Sequence, residues 1–418
     1  MKISPAMLQS HFVAVALALT TLLATAGAQD RVFVLKGARV LPVGQPPIEN
    51  GVVVVAGGRI QLVGKADAIL PQGATVIDCS GKVITPGFVD AATTIGLAAR
   101  DLNESSSEVT PQLRVLDALD PADKGFRRAR RAGTTTVHTA PGNRNVIGGL
   151  GAVLKTQGAT IAEMLLKDRS SLRVTLGAEP SQGNMAIRGG SPDSIYFRRP
   201  TTRMGVVWSL RKAFYDALAW REKKTIPGPD GKPPVVVDNP AMQTLLEAVD
   251  KKLPVRTTAR AEQDIRTALR IAGEFGYETM LEEPVEAWRV VDLIAQSKTK
   301  VLFGAPSLRT SGSARMDGAD GRDGTLMSLA KASIPFAITT AGGSDDLLRE
   351  ALFAVRAGLS EQQALAAITL VPAQILGVQD RVGSLAAGKD ADLVVLTGDP
   401  FDPTTKIETV YLNGKEVK

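Results

Sequence analysis

From Arg31 to about Lys82 the chain is a series of short apolar, β-branched runs interrupted by glycines. Val32–Leu41 breaks at Gly37 and Gly51–Gly64 breaks at Gly57 and Gly58, a pattern that predicts hairpin-connected strands. The far end has the same texture. Asp392–Leu396 and Thr409–Val417 read as strands, the second turning at Asn413-Gly414. Two β-rich ends around a mixed middle predict one small sheet domain assembled from both termini.

Between them, from about Val83 to Val378, short strands alternate with helical periodicity. Thr134–His138, Pro254–Thr258, Thr279–Glu282, Lys300–Phe303 and Phe336–Thr340 read as strands. Glu262–Phe275, Val285–Ser297 and Ser360 to about Leu370 read as helices, with Ser360 capping ahead of Gln363 and Pro372 as the stop. Strand and helix repeating in this way predict an α/β fold of the (β/α)₈ barrel type. A doubly wound open sheet is the runner-up, and no Gly-rich phosphate turn follows the first strand to favour it. Gly177–Pro200 and Pro227–Pro240 read as loops.

Composition narrows the function. Lys2, an apolar run from Phe12 to Leu23 and Ala26-Gly27-Ala28 predict a secretory signal peptide over residues 1–28, hence a secreted or periplasmic destination. No later run approaches a bilayer span, so no stable membrane segment is expected in the mature chain. Lys and Arg total 49 against 43 Asp and Glu, a mild excess without a basic stripe, which argues against nucleic acid as a partner. The one cysteine excludes an internal disulfide, and Cys79, in a strand running into a turn, reads as a small buried residue rather than a nucleophile. The two histidines are His11, inside the predicted leader, and His138. A three-histidine metal site cannot be built from them.

The strand Val83–Thr94, with Pro86-Gly87-Phe88-Val89-Asp90-Ala91 at its centre, resembles the metal-site entry strand of the amidohydrolase superfamily. The resemblance extends to Ala132–Val137, Ala140–Gly149 and the closing run Gly383–Leu396 with Gly398-Asp399-Pro400, and is nearest the imidazolonepropionase-like branch of secreted bacterial proteins. It implies a distorted (β/α)₈ TIM barrel plus a small β-sandwich: sandwich over 29–82, barrel over 83–378, sandwich again over 379–418. It also implies hydrolysis of a non-peptide carbon-nitrogen bond, often in a cyclic amide. A divalent metal such as Zn²⁺ activates water there, and an Asp after the eighth strand moves the proton.

Register carried over from the resemblance puts other residues at the ligand positions. Ala92 and Thr94 stand where the first strand would place two histidines, and Thr258 or Arg260 where the fifth would place one. Glu283 replaces the histidine after the sixth strand, and Ala341 the Asp after the eighth. No metal ligands and no cofactor are therefore expected. Glu283, Arg260 and His138 are weak catalytic candidates for metal-free chemistry, although a packed, hydrogen-bonded His138 is the simpler expectation. Glu282, Glu283, Asp345 and Asp346 are the carboxylates available for a rebuilt Mg²⁺, Ca²⁺ or Mn²⁺ site, but adjacent strand residues face opposite ways, and the Asp pair suits helix capping. Lys155 lacks the histidine partners of a metal-bridging carbamylated lysine. Arg127–Arg131 reads as a solvated helix face, Arg198-Arg199 as a cover for the barrel mouth, and Asn103-Glu104 as part of the loop after the first strand. The expectation is a catalytically degenerate amidohydrolase serving as a binding or partner subunit, as a homo-oligomer or a hetero-oligomer with an active amidohydrolase paralogue. The alternative is an active amidohydrolase with an atypical carboxylate-based or metal-free site.

Overall fold

The computed structural model describes residues 32–182, 200–223, 225–226, 235–236, 238–304, 316–342 and 346–417. The predicted leader, Arg198-Arg199, Asp345 and most of the two predicted loops lie outside them. The N-terminal strands are β1 (Phe33–Val40), β2 (Ile48–Ala56), β3 (Arg59–Lys65), β4 (Thr75–Asp78) and β5 (Val83–Pro86). They share one sheet with the C-terminal strands β16 (Leu393–Leu396), β17 (Ile407–Leu412) and β18 (Lys415–Glu416), in the order β18-β17-β16-β5-β1-β2-β3 with β4 beside β1. The two ends of the chain meet where β16 runs antiparallel to β5.

Strand β1 serves two neighbours along one edge: Phe33–Lys36 pair with β4, and Arg39 and Val40 with β5. The hand-over falls at Gly37, whose φ of +90° suits glycine and where a Cβ would meet Ser80 Oγ at 2.6 Å. Leu35, Val53, Ile84 and Val395 bury one face of the sheet, Val34, Val52 and Val54 the other. The turn between β17 and β18 is Asn413-Gly414, both at positive φ, as the sequence predicts.

The second sheet is the barrel. Its strands are β6 (Phe88–Thr93), β7 (Thr134–Thr139), β8 (Ile147–Lys155), β9 (Leu165–Thr175), β12 (Val255–Thr258), β13 (Thr279–Glu282), β14 (Lys300–Phe303) and β15 (Phe336–Ile338); a separate ribbon of β10 (Thr225–Ile226) and β11 (Val235–Val236) lies between β9 and β12 in sequence. The helices are α1 (Lys124–Arg131), α2 (Ile161–Met164), α3 (Arg203–Lys223), α4 (Pro240–Val249), α5 (Glu262–Phe275), α6 (Val291–Gln296), α7 (Thr325–Lys331), α8 (Leu347–Arg356), α9 (Glu361–Ala367) and α10 (Leu370–Leu376). The end strands β6 and β15 lie side by side, joined where Thr340 donates to Asp90 Oδ2 at 2.5 Å.

This barrel departs from strict strand-helix repetition at its third strand. β8 runs antiparallel to both β7 and β9. The β7–β8 link is the turn-rich Ala140–Val146 in place of a helix, because antiparallel neighbours need no crossover. Elsewhere the ladder is parallel and residues alternate: Leu172, Val174, Val255, Leu281, Val301 and Phe336 join the outer core, whereas Val153, Met280, Leu302 and Ala337 fill the barrel's floor with Val89 and Ala91.

Helix α5 spans the predicted residues, and α9 carries the predicted Ser360–Gln363 capping box. Two expectations are corrected. The helix expected over Val285–Ser297 becomes a 3₁₀ turn at Ala287–Arg289 followed by α6, since Glu286 is drawn aside to accept from Glu262 N at 2.7 Å and Asp320 N at 3.0 Å. Pro372 does not stop a helix but sits in the first turn of α10, where its missing N–H is one that no helix satisfies internally.

Candidate functional site

At the C-terminal ends of the parallel strands the barrel interior turns from apolar to ionic. Ser171 and Arg173 from β9, Arg256 from β12, Glu282 from β13 and His138 from β7 point inward and are all buried. Glu282 Oε2 accepts from both Arg256 Nε and Arg173 Nη1. Arg256 Nη1 meets His138 Nδ1 at 2.7 Å, and Nη2 donates to the carbonyl of Ala91 on β6. Asn143 Oδ1 accepts from Arg173 and, at 3.2 Å, from the Thr258 hydroxyl. Gly151 leaves room for the imidazole, because a Cβ there would lie 2.7 Å from its Cε1 and Nε2.

Electrostatics fixes the protonation of this network. Burial alone would raise Glu282, yet the two guanidinium groups outweigh it and hold the carboxyl down at about 2. Burial, reinforced by Arg256 and Arg173, pushes His138 well below its ordinary value, so the ring is neutral. An arginine offers donors alone, so His138 Nδ1 accepts and Nε2 carries the proton, 3.2 Å from Ser171 Oγ. Neither ring nitrogen is free to take a proton from a substrate.

A second cluster lies beside the first. Arg260, 1% exposed, pairs with Glu283 at 2.6 Å, Glu179 at 2.9 Å and Asp317 at 3.1 Å. Burial works against the Arg260 charge, but the three carboxylates prevail and raise its pKa. One guanidinium shared three ways leaves Glu283 under-neutralised, and burial pushes its carboxyl up. Glu283 and Ala341 both have positive φ, 51° and 48°, unusual for residues with a Cβ. Asp90, on β6 beside the end of β15, accepts from Ala92 N and from Thr340, and burial lifts it to about 6.

Of the catalytic candidates, Arg260 and Glu283 touch each other, while His138 reaches neither and belongs to the Arg256 network. Ala92 is buried behind the Asp90 carboxylate, to which its N–H donates. Thr94 makes its described hydrogen bond through its carbonyl, to Leu97 N. Asp346 caps α8 by accepting from Arg349 N at 3.0 Å. Glu282 faces the interior, where Oε2 accepts from two arginines, whereas Glu283 pairs with Arg260, so the two carboxylates do not act as a pair. Lys155 lies at the opposite end of the barrel, buried against Asp390 at 3.0 Å and against Asp392. Those two aspartates belong to the closing run of the resemblance, where they tie the terminal sheet to the barrel floor. Cys79 is buried, and burial raises its thiol. Arg127, Arg128 and Arg131 of α1 are exposed as expected, whereas Arg130 turns inward to the Thr156 carbonyl.

Sequence reasoning passed over Arg173, Arg256, Asp90 and Asn143. The signal was present for two of them, a lone charged residue on an inward position of an otherwise uncharged run: Arg256 in Val255–Thr258 and Arg173 in Ser170–Thr175, the second half of β9. A cleft of about 350 Å³ opens outside the barrel between α3 and α5, lined by Arg203, Trp208, Arg211, Asp264 and Arg270 among others. Burial raises Asp264 there to about 6 in spite of Arg203 at 3.3 Å.

A divalent metal does not suit the barrel mouth as built. Two guanidinium cations point into it, and they already hold Glu282 Oε2 and His138 Nδ1, so an ion would have to displace them against like charge. Among the described residues, no group of three or more His, Cys, Asp or Glu is arranged to hold an ion.

Comparison with known proteins places the fold in a family. An amidohydrolase from Thermotoga maritima MSB8 matches with a TM-score of 0.82 and 32% identity, covering 92% of this chain and 99% of that one. The chain belongs to the amidohydrolase family. The Amidohydrolase family model itself matches residues 235–417. An imidazolonepropionase from Thermoplasma acidophilum is 26% identical over 421 residues, 96% of this chain and 93% of that protein. Amidohydrolase tasK from Hapsidospora irregularis is 24% identical over 377 residues, and the match spans 82% of this chain but 37% of that protein's length. The barrel and its companion sheet agree with the fold that the sequence predicts, with β8 reversed. No helix among the described residues is long and apolar enough to cross a membrane.

Proposed function

We propose that this amidohydrolase has given up metal-dependent hydrolysis and keeps its barrel as a binding or partner module. The observation that carries the reading is the Arg173–Glu282–Arg256–His138 network, which fills the mouth with mutually neutralised charge. Ala92, Thr94, Glu283 and Ala341 at the expected ligand positions support it, since among them only Glu283 carries a metal-binding carboxylate, and Arg260 engages that one. The cleft between α3 and α5 is a surface where such a module meets a ligand. Export through residues 1–28 and assembly with an active paralogue, or with further copies of itself, belong to the same reading.

The test is metal analysis of the purified chain after incubation with Zn²⁺ and dialysis, alongside hydrolysis assays on cyclic amides and N-acyl substrates. Substoichiometric metal and no turnover are expected. One equivalent of retained metal accompanied by turnover would overturn the reading and restore the alternative of an active hydrolase.

A further inference from the structure

The geometry points to Arg256 as the barrel's resident cation: we propose that its guanidinium does from inside the chain the cross-strand bracing that a bound metal ion would otherwise supply. The inference rests on the reading above and deepens it by naming what stands in the ion's place. Each edge of the guanidinium is used on a different strand. Nε donates to Glu282 on β13, Nη1 to His138 Nδ1 on β7, and Nη2 to the Ala91 carbonyl on β6, while the side chain itself springs from β12. One planar group thereby ties the first, second, fifth and sixth barrel strands together, three of which are strands where metal ligands were expected. A carboxylate oxygen, an imidazole nitrogen and a carbonyl oxygen are also the donor types that hold divalent ions.

The surroundings are shaped to this cation. Gly151 yields space so that the imidazole can turn its Nδ1 inward. Arg173 shares Glu282, and Asp90 adds a further carboxylate charge near Arg256. Arg256 is 1% exposed, so no water competes for its donors from bulk solvent. A lysine cannot replace it, because an ammonium places its donors on one atom and cannot span three strands. Removing the side chain leaves an acceptor cage of the right composition for a small planar cation.

Thermal unfolding of the full chain tests this with Arg256→Ala and Arg256→Lys. The Ala variant should melt lower by roughly 5 °C or more. Millimolar guanidinium, far below denaturing levels, should recover part of that loss, whereas sodium at equal ionic strength should not, and the unmodified protein should not respond to either. The Lys variant should melt close to the Ala variant. A guanidinium effect no larger than that of sodium, or a Lys variant as stable as the unmodified protein, would overturn the assignment. If the Ala variant does not fold, amide exchange in the unmodified protein decides: protection in β6, β7 and β13 equal to that in β12 is expected, and exchange in those strands much faster than in β12 overturns the proposal. One equivalent of metal retained by the unmodified protein together with turnover is the separate outcome that sinks the functional reading, whatever the variants do.

Discussion

Glu282→Gln removes one negative charge and keeps the side chain's shape, so it isolates what that charge contributes. Glu282 is 3% exposed and lies between two guanidinium groups, so solvent screens the interaction little. The carboxyl is held from its ordinary 4.5 down to about 2. At about 1.4 kcal/mol per pH unit, a displacement of that size corresponds to ~3 kcal/mol of folding free energy at neutral pH. Breaking a buried ion pair by deleting one partner costs about 3–5 kcal/mol, in agreement. The Gln variant should therefore be ~3 kcal/mol less stable at pH 7 by urea unfolding followed by far-UV circular dichroism. Because the folded pKa is depressed, the contribution is present above pH 4.5 and lost as the pH falls toward 2. The gap between the two proteins should accordingly narrow at pH 3. A loss below about 1 kcal/mol at pH 7, or a gap that does not change with pH, would refute the account of Glu282 as the anion holding Arg173 and Arg256.

Asp90 titrates in the opposite sense. Its folded pKa is raised from 3.8 to about 6, so the proton is favoured in the fold and stability is lost as pH rises between those values. Asp90→Asn keeps one of the two acceptor oxygens that Ala92 N and Thr340 use, so a hydrogen-bond loss is common to both pH values, and its stability relative to the unmodified protein should improve by up to ~3 kcal/mol from pH 4 to pH 8, read by urea unfolding at each pH; a relative stability that does not change between the two pH values contradicts this. Lys155→Met should cost about 3–5 kcal/mol in the same urea assay, because it strands Asp392 and leaves Asp390 to Arg381 at 2.8 Å. A loss under about 1 kcal/mol would show that the buried lysine does not clamp the terminal sheet to the barrel.

Much of the fold was legible because periodicity and turn chemistry are local. The α5 helix, the Ser360 cap and the Asn413-Gly414 turn each depend on residues close in sequence. The reversed β8 was not legible: Ile147–Lys155 is buried throughout, and an apolar strand of that kind does not declare its direction. Pro372 misled because the same residue marks a helix start as well as a stop, and what separates the two is the backbone at Thr369. At the site, the expectation that Ala92, Thr94, Glu283 and Ala341 stand at ligand positions rested on register carried over from the resemblance. The network that occupies the mouth was not legible that way, since Glu282 meets Arg173 across 109 positions and Arg256 meets His138 across 118. Such pairings become visible when the strands are placed side by side.

Lys155 and Asp392 are 237 positions apart, and β5 finds its partner β16 over a still longer interval. During synthesis at about 5–20 residues per second, the lysine waits on the order of 10–50 s before its anion exists. Until then the barrel floor holds an uncompensated cation and β5 has an open edge. The run from Asp390 to β16 therefore acts as a completion signal: the barrel floor and the β5 edge cannot close before that run is made, and a chain cut short before Asp390 should keep both open.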